Sequence, residues 1–205
     1  MNILTYTGGL AETNAYFIES SEGWLIVDAP EGALNFAQKK NIRPTALVLT
    51  HGHWDHIWDA AKLVKEFECP VFYHQADEIL CMQPEHMRSF GLPIRLDPVA
   101  ATRFLVQGDT FSHGEWNFHI FHIPGHCPGS ICLYEKEAGI VFGGDVLFAG
   151  GVGRWDLPGG SKEMLLTGIT QQLLTLPDET IVYPGHGPST TIGEERQTNP
   201  YVKLA

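Results

Sequence analysis

The chain has 205 residues, 43% of them hydrophobic and 18% charged, which suits one sizeable domain with a full core and excludes a disordered segment. Its 24 acidic and 13 basic residues give a formal charge of −11 with no Lys/Arg-rich block, so a nucleic-acid partner is disfavoured. No run approaches the ~18 apolar residues of a membrane span, Met1–Thr7 carries no secretion signal, and Cys69, Cys81, Cys127 and Cys132 lack C-x-x-C spacing and read as reduced thiols; a cytoplasmic protein without membrane partners is expected.

In chain order, residues 2–6, 15–19 and 24–27 read as short strands, with Glu22-Gly23 as the turn between the last two. A weak helical pattern over 31–40 precedes an apolar run, Ala46-Leu47-Val48-Leu49, typical of a strand buried on both faces. A helix over about 56–68 follows, because Ile57, Ala60, Ala61, Val64 and Phe67 recur at helical spacing. Val71-Phe72-Tyr73 is another strand, and 75–82 is helical. From Gln83 to Val106 the pattern is broken by Pro84, Pro93 and Pro98, as in either a substrate-facing loop or a plain connection. Strands return at 117–123, 131–135 and 139–143. A glycine-rich loop from Gly143 to Gly160, a helix over 161–174, a strand at 180–183 and a helical tail complete the chain.

Between the fourth strand and its helix lies Thr50-His51-Gly52-His53-Trp54-Asp55-His56, three imidazoles and a carboxylate in six positions. Side chains two apart in extended backbone point the same way, so His51 and His53 can converge on one point. Asp55 and His56 come just before the helix, whose free N–H groups and dipole favour an anion, and they can serve a second point beside the first. Such a density of ligand-type groups at the end of a buried strand points to metal rather than to a histidine-rich loop. Three more strands run into a ligand-type residue through a tight turn: Pro124-Gly125 before His126, Gly143-Gly144 before Asp145, and Pro184-Gly185 before His186. Ligands gather outside the carboxyl ends of strands in sheets flanked by helices. Seven such groups exceed one tetrahedral ion and suit two divalent ions sharing a carboxylate, with Asp145 the natural bridge. Imidazole and carboxylate accept Zn, Fe or Mn, zinc being the first expectation.

The T-H-x-H-x-D-H run, with Asn14, Asp28, the Pro124–Ser130 turn, Asp145 and His186, resembles the metallo-β-lactamase superfamily and, within it, the glyoxalase II-like hydrolases. The resemblance implies an α/β fold, a four-layer αβ/βα sandwich of two mixed sheets. It places His51, His53 and His126 on a first metal, Asp55, His56 and His186 on a second, and Asp145 between them. Asp28 matches an aspartate that sits behind the ligands, and Thr50 and Ser130 are placed there with it. Where cysteine-ligand metallo-β-lactamases carry Cys, this chain has Asp145, which argues against antibiotic hydrolysis. Cys127 stands where the family has Thr, as a packed small residue or a soft extra ligand. The chain ends 19 residues after His186, without the helical domain that contacts glutathione in full-length glyoxalase II, so the short single-domain branch is expected.

The activity implied is hydrolysis of an acyl thioester such as an S-2-hydroxyacylglutathione by a metal-bridged hydroxide, with Asp55 orienting the nucleophile as well as ligating. A thiolate leaves easily, so no strong general acid is needed. Arg154 could receive a substrate carboxylate, or simply pair with Asp156; Tyr183 could line the pocket, or pack as a strand aromatic. The other five histidines, His74, His86, His113, His119 and His122, show no ligand geometry, and His122 reads as a core or supporting group. Rival readings are a persulfide dioxygenase with one iron on His51, His126 and Asp145, an ester or lactone hydrolase, and a non-enzymatic metal-binding module.

Overall fold

Alternation along the central strands decides the architecture. In β2 (Thr13–Ser20), β3 (Gly23–Val27) and β4 (Pro44–Val48), Tyr16, Ile18, Leu25, Val27, Ala46 and Val48 face one core while Ala15, Phe17, Ile26 and Leu47 face another. The same split recurs in β9 (Ile131–Glu135) and β10 (Ile140–Gly144), where Ile131, Leu133, Ile140 and Phe142 join the first core and Cys132, Tyr134 and Val141 line a third. Strands apolar on both faces need cover on both faces. The central core lies between two sheets, and the outer two lie under helices.

The computed structural model describes residues 2–85 and 95–202. One six-stranded sheet has the order β1-β2-β3-β4-β5-β6, adding β1 (Ile3–Gly8), β5 (Val71–Tyr73) and β6 (Arg103–Phe104). Its first two pairings are antiparallel and its last three parallel. The other six-stranded sheet has the order β14-β13-β10-β9-β8-β7, from β7 (Thr110–His113), β8 (Trp116–His122), β9, β10, β13 (Ile181–Pro184) and β14 (Thr190–Thr191). In it β13 pairs parallel with β10 and every other pairing is antiparallel. Both sheets are mixed, and the fold is the expected αβ/βα sandwich. A two-stranded hairpin, β11 (Leu147–Phe148) with β12 (Gly151–Val152), interrupts the glycine-rich loop, where only coil is predicted.

The outer face of the first sheet is covered by α1 (Ala33–Lys39), α3 (Ala60–Phe67) and α4 (Glu78–Met82), which supply Ala33, Ala37, Ala60, Leu63 and Cys81 to its core. The second sheet is covered by α5 (Lys162–Gly168), a π-helical turn (Ile169–Leu173) and α6 (Ile192–Thr198), through Leu165, Ile169, Leu173 and Ile192. The helix predicted over 56–68 is two pieces, α2 (Trp54–Ile57) and α3, so Asp55 and His56 lie inside a helical turn rather than before one. The break has a long-range cause. The main chain of Ala29, just past β3, takes the place of a helical neighbour: its N–H donates to the His56 carbonyl at 2.7 Å and its carbonyl accepts from the Asp59 N–H at 2.8 Å. Asp59, buried at the break, then accepts from the Gly32 and Leu34 N–H groups that open α1.

All four cysteines are buried and free. Among the described residues no helix is long and apolar enough to cross a membrane. Of the irregular stretch 83–106, residues 86–94, His86 included, lie outside the described residues; Leu105 is buried in the central core.

Candidate metal centre

Both sheets end at one seam, and four of their strand ends meet there. His51 and His53 follow β4, with His53 opening α2, which carries Asp55 and His56. His126 sits between β8 and β9, Asp145 directly follows β10, and His186 follows β13, where it bridges back to Thr13 of β2.

The ring atoms form two ion-sized clusters. In one, His126 Nε2 is 2.8 Å from His53 Nδ1 and 3.2 Å from His51 Nε2. In the other, Asp55 Oδ2 is 3.4 Å from His56 Nε2 and 3.2 Å from His186 Nε2, and the two imidazole nitrogens are 3.4 Å apart. Ligands around a tetrahedral ion with bonds of about 2.0–2.1 Å stand about 3.3–3.4 Å apart, close to these edges. Asp145 faces both: Oδ1 is 3.2 Å from His56 Nε2, while Oδ2 is 3.3 Å from His186 Nε2 and 3.5 Å from His126 Nε2.

The histidines are oriented from behind. His51 Nδ1 meets the Thr50 hydroxyl at 3.1 Å, and His56 Nδ1 meets Asp28 Oδ2 at 2.8 Å. His126 Nδ1 donates to the Arg154 carbonyl at 2.8 Å and His186 Nδ1 to the Ala11 carbonyl at 3.0 Å. With its proton committed at Nδ1, each ring turns an Nε2 lone pair into the cluster. Lone pairs crowded this closely repel unless a cation lies between them. The Asp145 Oδ1 atom sharpens the point, since it is buried and makes no hydrogen bond. Gly185 lets it stand there: a Cβ at that position would collide with Asp145 Oδ1 and lie 2.7 Å from His56 Cε1.

Electrostatics say the same. Burial, then the neighbouring imidazoles, holds His51 well below the usual histidine range, and burial with His126 takes His53 down to about 3. For Asp55 burial works upward, but His56, His186 and Thr13 outweigh it and bring the carboxyl to about 2. Asp145 is held well below the carboxylate range, burial again being overcome by His56 and His186. Burial opposes charge on His56 and His186, yet the carboxylates raise the first well above its usual value and the second to about 10. The anionic groups thus hold positive charge at these nitrogens, the place a divalent ion would take.

Asp28 sits behind the ligands, accepting from the Thr50 N–H at 2.7 Å, the Thr50 hydroxyl at 2.8 Å and His56. Ser130 Oγ accepts from the Cys127 N–H at 3.2 Å. The Cys127 sulfur lies 3.1 Å from both Asp77 oxygens, and no candidate cluster among the described residues includes it. The exposed Arg154 side chain pairs with Asp156 at 2.7 and 2.8 Å, so it is the main chain of Arg154 that reaches the site. Tyr183 packs in the central core, its ring 5.2 Å from Phe142 and 5.3 Å from Tyr16. His74 and His122 stack with ring centroids 3.8 Å apart and belong to neither cluster, and His113 bridges Ser20 and Thr45.

Sequence reasoning missed Thr13, whose hydroxyl donates to Asp55 Oδ2 at 2.7 Å. Its neighbour Asn14 ties β2 to the Pro184 and Gly187 carbonyls, fixing the His186 turn. Two buried polar residues opening a strand whose next four residues, Ala15-Tyr16-Phe17-Ile18, are buried and apolar or aromatic were the available signal.

Two ion-sized clusters that share a carboxylate, at the seam of such a sandwich, mark a metal-dependent hydrolase with a binuclear ligand set. Residues 8–186 match the metallo-beta-lactamase superfamily, and the chain belongs to it. It is 42% identical over 159 residues to the hydroxyacylglutathione hydrolase GloC of Haemophilus influenzae, covering 76% of this chain and 74% of that one. Among solved structures it is similar to TTHA1623 in a di-iron-bound form, with 40% identity, a TM-score of 0.85 and coverage of 97% and 99%. It is also similar to the BLEG-1 B3 metallo-beta-lactamase, with 33% identity, a TM-score of 0.89 and coverage of 98% and 99%.

Proposed function

We propose that this protein hydrolyses an acyl thioester of the S-2-hydroxyacylglutathione class at a binuclear centre, with His51, His53 and His126 on one divalent ion, Asp55, His56 and His186 on the other, and Asp145 shared. The observation that carries the binuclear reading is Asp145, whose Oδ2 lies between His126 of one histidine set and His186 of the other while the buried Oδ1, without a hydrogen-bond partner, faces His56. The substrate class is supported by the 42% identity to GloC. Bound there, a pair of cations supplies a polarised carbonyl and a water whose pKa falls toward neutrality.

The chain's own residues supply order. Thr13 fixes the Asp55 carboxylate, leaving it to orient the attacking water, and the low pKa of Asp55 keeps it an acceptor. Thiolate departure needs no proton donor. Arg154, on the loop beside His126, is proposed to receive a substrate carboxylate by exchanging its partner Asp156; Tyr183 would contribute through the wall behind β13 rather than by direct contact. The single-domain arrangement and a cytoplasmic setting belong to the same proposal.

Zinc is the first expectation, although the di-iron form of TTHA1623 favours testing iron equally. A mononuclear iron on His51, His126 and Asp145 is the second reading, for persulfide oxygenation. His53 weighs against it, because its Nδ1 stands 2.8 Å from His126 Nε2 and would offer a third imidazole to the same ion. The test is elemental analysis, then assay of the chelated and the Zn- or Fe-reloaded protein on S-lactoylglutathione, a persulfide with oxygen uptake, a lactone and a β-lactam. Two metals per chain with thioester turnover lost on chelation is the expected result. One iron with oxygen consumption, or turnover of the β-lactam alone, would overturn it.

A further inference from the structure

We infer that Asp77 is a positioning residue for the three-histidine half of the centre, an inference resting on the reading that the clusters take cations. Asp77 ends a 3-10 turn (Gln75–Asp77) before α4 and is fully buried, yet it makes no ion pair among the described residues. A buried carboxyl without a cation is held by hydrogen bonds or not at all. Its donors come from two loops of opposite sheets. Oδ2 accepts from the Gly52 N–H at 2.8 Å, and Oδ1 from the Gly129 N–H at 2.6 Å; the Cys127 thiol lies 3.1 Å from both oxygens.

Those donors are placed with a purpose. Gly52 lies between His51 and His53, while Cys127 follows His126 directly. One carboxylate therefore clasps the loop after β4 to the loop after β8, the two segments that carry every imidazole of one cluster. The fit is close: a Cβ on Gly129 would stand 2.5 Å from Asp77 Cγ, so glycine there lets the carboxylate lie against the backbone. None of these bonds involves Asp55, His56, His186 or Asp145. Asp77 sets the approach of His53 Nδ1 to His126 Nε2, while Thr13 serves the other half and Asp28 touches both, His56 directly and His51 through Thr50.

A brace that only stabilises the fold would change melting of the metal-free protein and leave ion affinities alone. A positioning residue changes one affinity and spares the other. The experiment titrates metal-free wild type and Asp77→Asn with Zn(II) against a chromophoric chelator, and follows thermal melting of both without metal. His53→Ala and His186→Ala assign each binding step to its half. The expected result is a step weakened about 10–100-fold in Asp77→Asn, the one abolished by His53→Ala, with the His186-dependent step unchanged. Unchanged affinities at both steps would overturn the inference, and so would equal weakening of both alongside a lowered metal-free melting temperature. Should Asp77→Asn fail to fold, Cys127→Ala removes the thiol donor and keeps both N–H bonds. It should weaken the same step several-fold, and no shift there would be equally decisive against Asp77. Wild type that binds fewer than two zinc ions would instead remove the binuclear reading itself, a distinct result.

Discussion

Replacing Asp28 by Asn leaves shape and backbone almost untouched, yet it should disable half of the metal centre. Asp28 has φ of 63°, a left-handed conformation that Asn tolerates and most residues do not. The Asn oxygen can still accept from the Thr50 N–H, now at 2.7 Å from Asp28 Oδ1. Its amide then faces the His56 Nδ1–H, which meets Asp28 Oδ2 at 2.8 Å, and two donors cannot share that space. His56 escapes by moving its proton to Nε2, the atom turned toward Asp55 and Asp145. An Nε2 carrying a proton cannot ligate. The affinity of the Asp55–His56–His186 half should fall about 10–100-fold, equivalent to about 1.4–2.7 kcal/mol, with a smaller loss at the three-histidine half, where the Thr50 hydroxyl that donates to the same Asp28 Oδ2 also meets His51 Nδ1. Zn(II) titration of the metal-free variant against a chelator measures both steps. Asp28→Ala should also lower stability by about 2–4 kcal/mol, since it strands buried donors and strains the backbone. Two unshifted affinities in Asp28→Asn would refute the tautomer argument.

Thr13→Val removes the hydroxyl 2.7 Å from Asp55 Oδ2; kcat should fall about 10–100-fold, from the loss of a hydrogen bond to a charged group, with metal content still two per chain by elemental analysis. His113 is held below the usual histidine range by burial, which Glu22 and Glu115 only partly oppose. Its neutral ring bridges the sheets through Ser20 and Thr45, at 2.9 Å each. The unfolded chain then binds the extra proton, so this contribution is complete above pH about 6.5 and is lost as pH falls below it; the melting-temperature gap between wild type and His113→Gln should narrow from pH 8 to pH 5. Phe118→Ala, deep between the sheets beside Phe111, Trp116 and Phe142, should cost about 3–5 kcal/mol in urea unfolding.

What the sequence makes legible here is what local chemistry decides. Strand alternation exposes the four layers, because each central strand carries apolar residues on both faces. Tight turns ahead of His126, Asp145 and His186 reveal the strand ends that converge, since only glycine and proline build such corners. The break between α2 and α3 stays hidden because its cause is the main chain of Ala29, distant in sequence. Asp77 is hidden for the same reason: Gln75-Ala76-Asp77-Glu78 reads as an ordinary acidic helix start, and its partners Gly52 and Gly129 offer only backbone. Short strands such as β6, β12 and β14 exist through pairing rather than propensity, and no periodicity fits in two residues.

His126 and His186 are steered by the carbonyls of Arg154 and Ala11, groups that every amino acid possesses. Side chains at those positions, and at Leu10, which stands 87% exposed beside Ala11, are under no obligation to the ions. A lineage can therefore rewrite the mouth of this enzyme, charge and bulk alike, while the reactive apparatus stays intact. Divergent appetites on one unchanged engine are what such an economy of attachment permits.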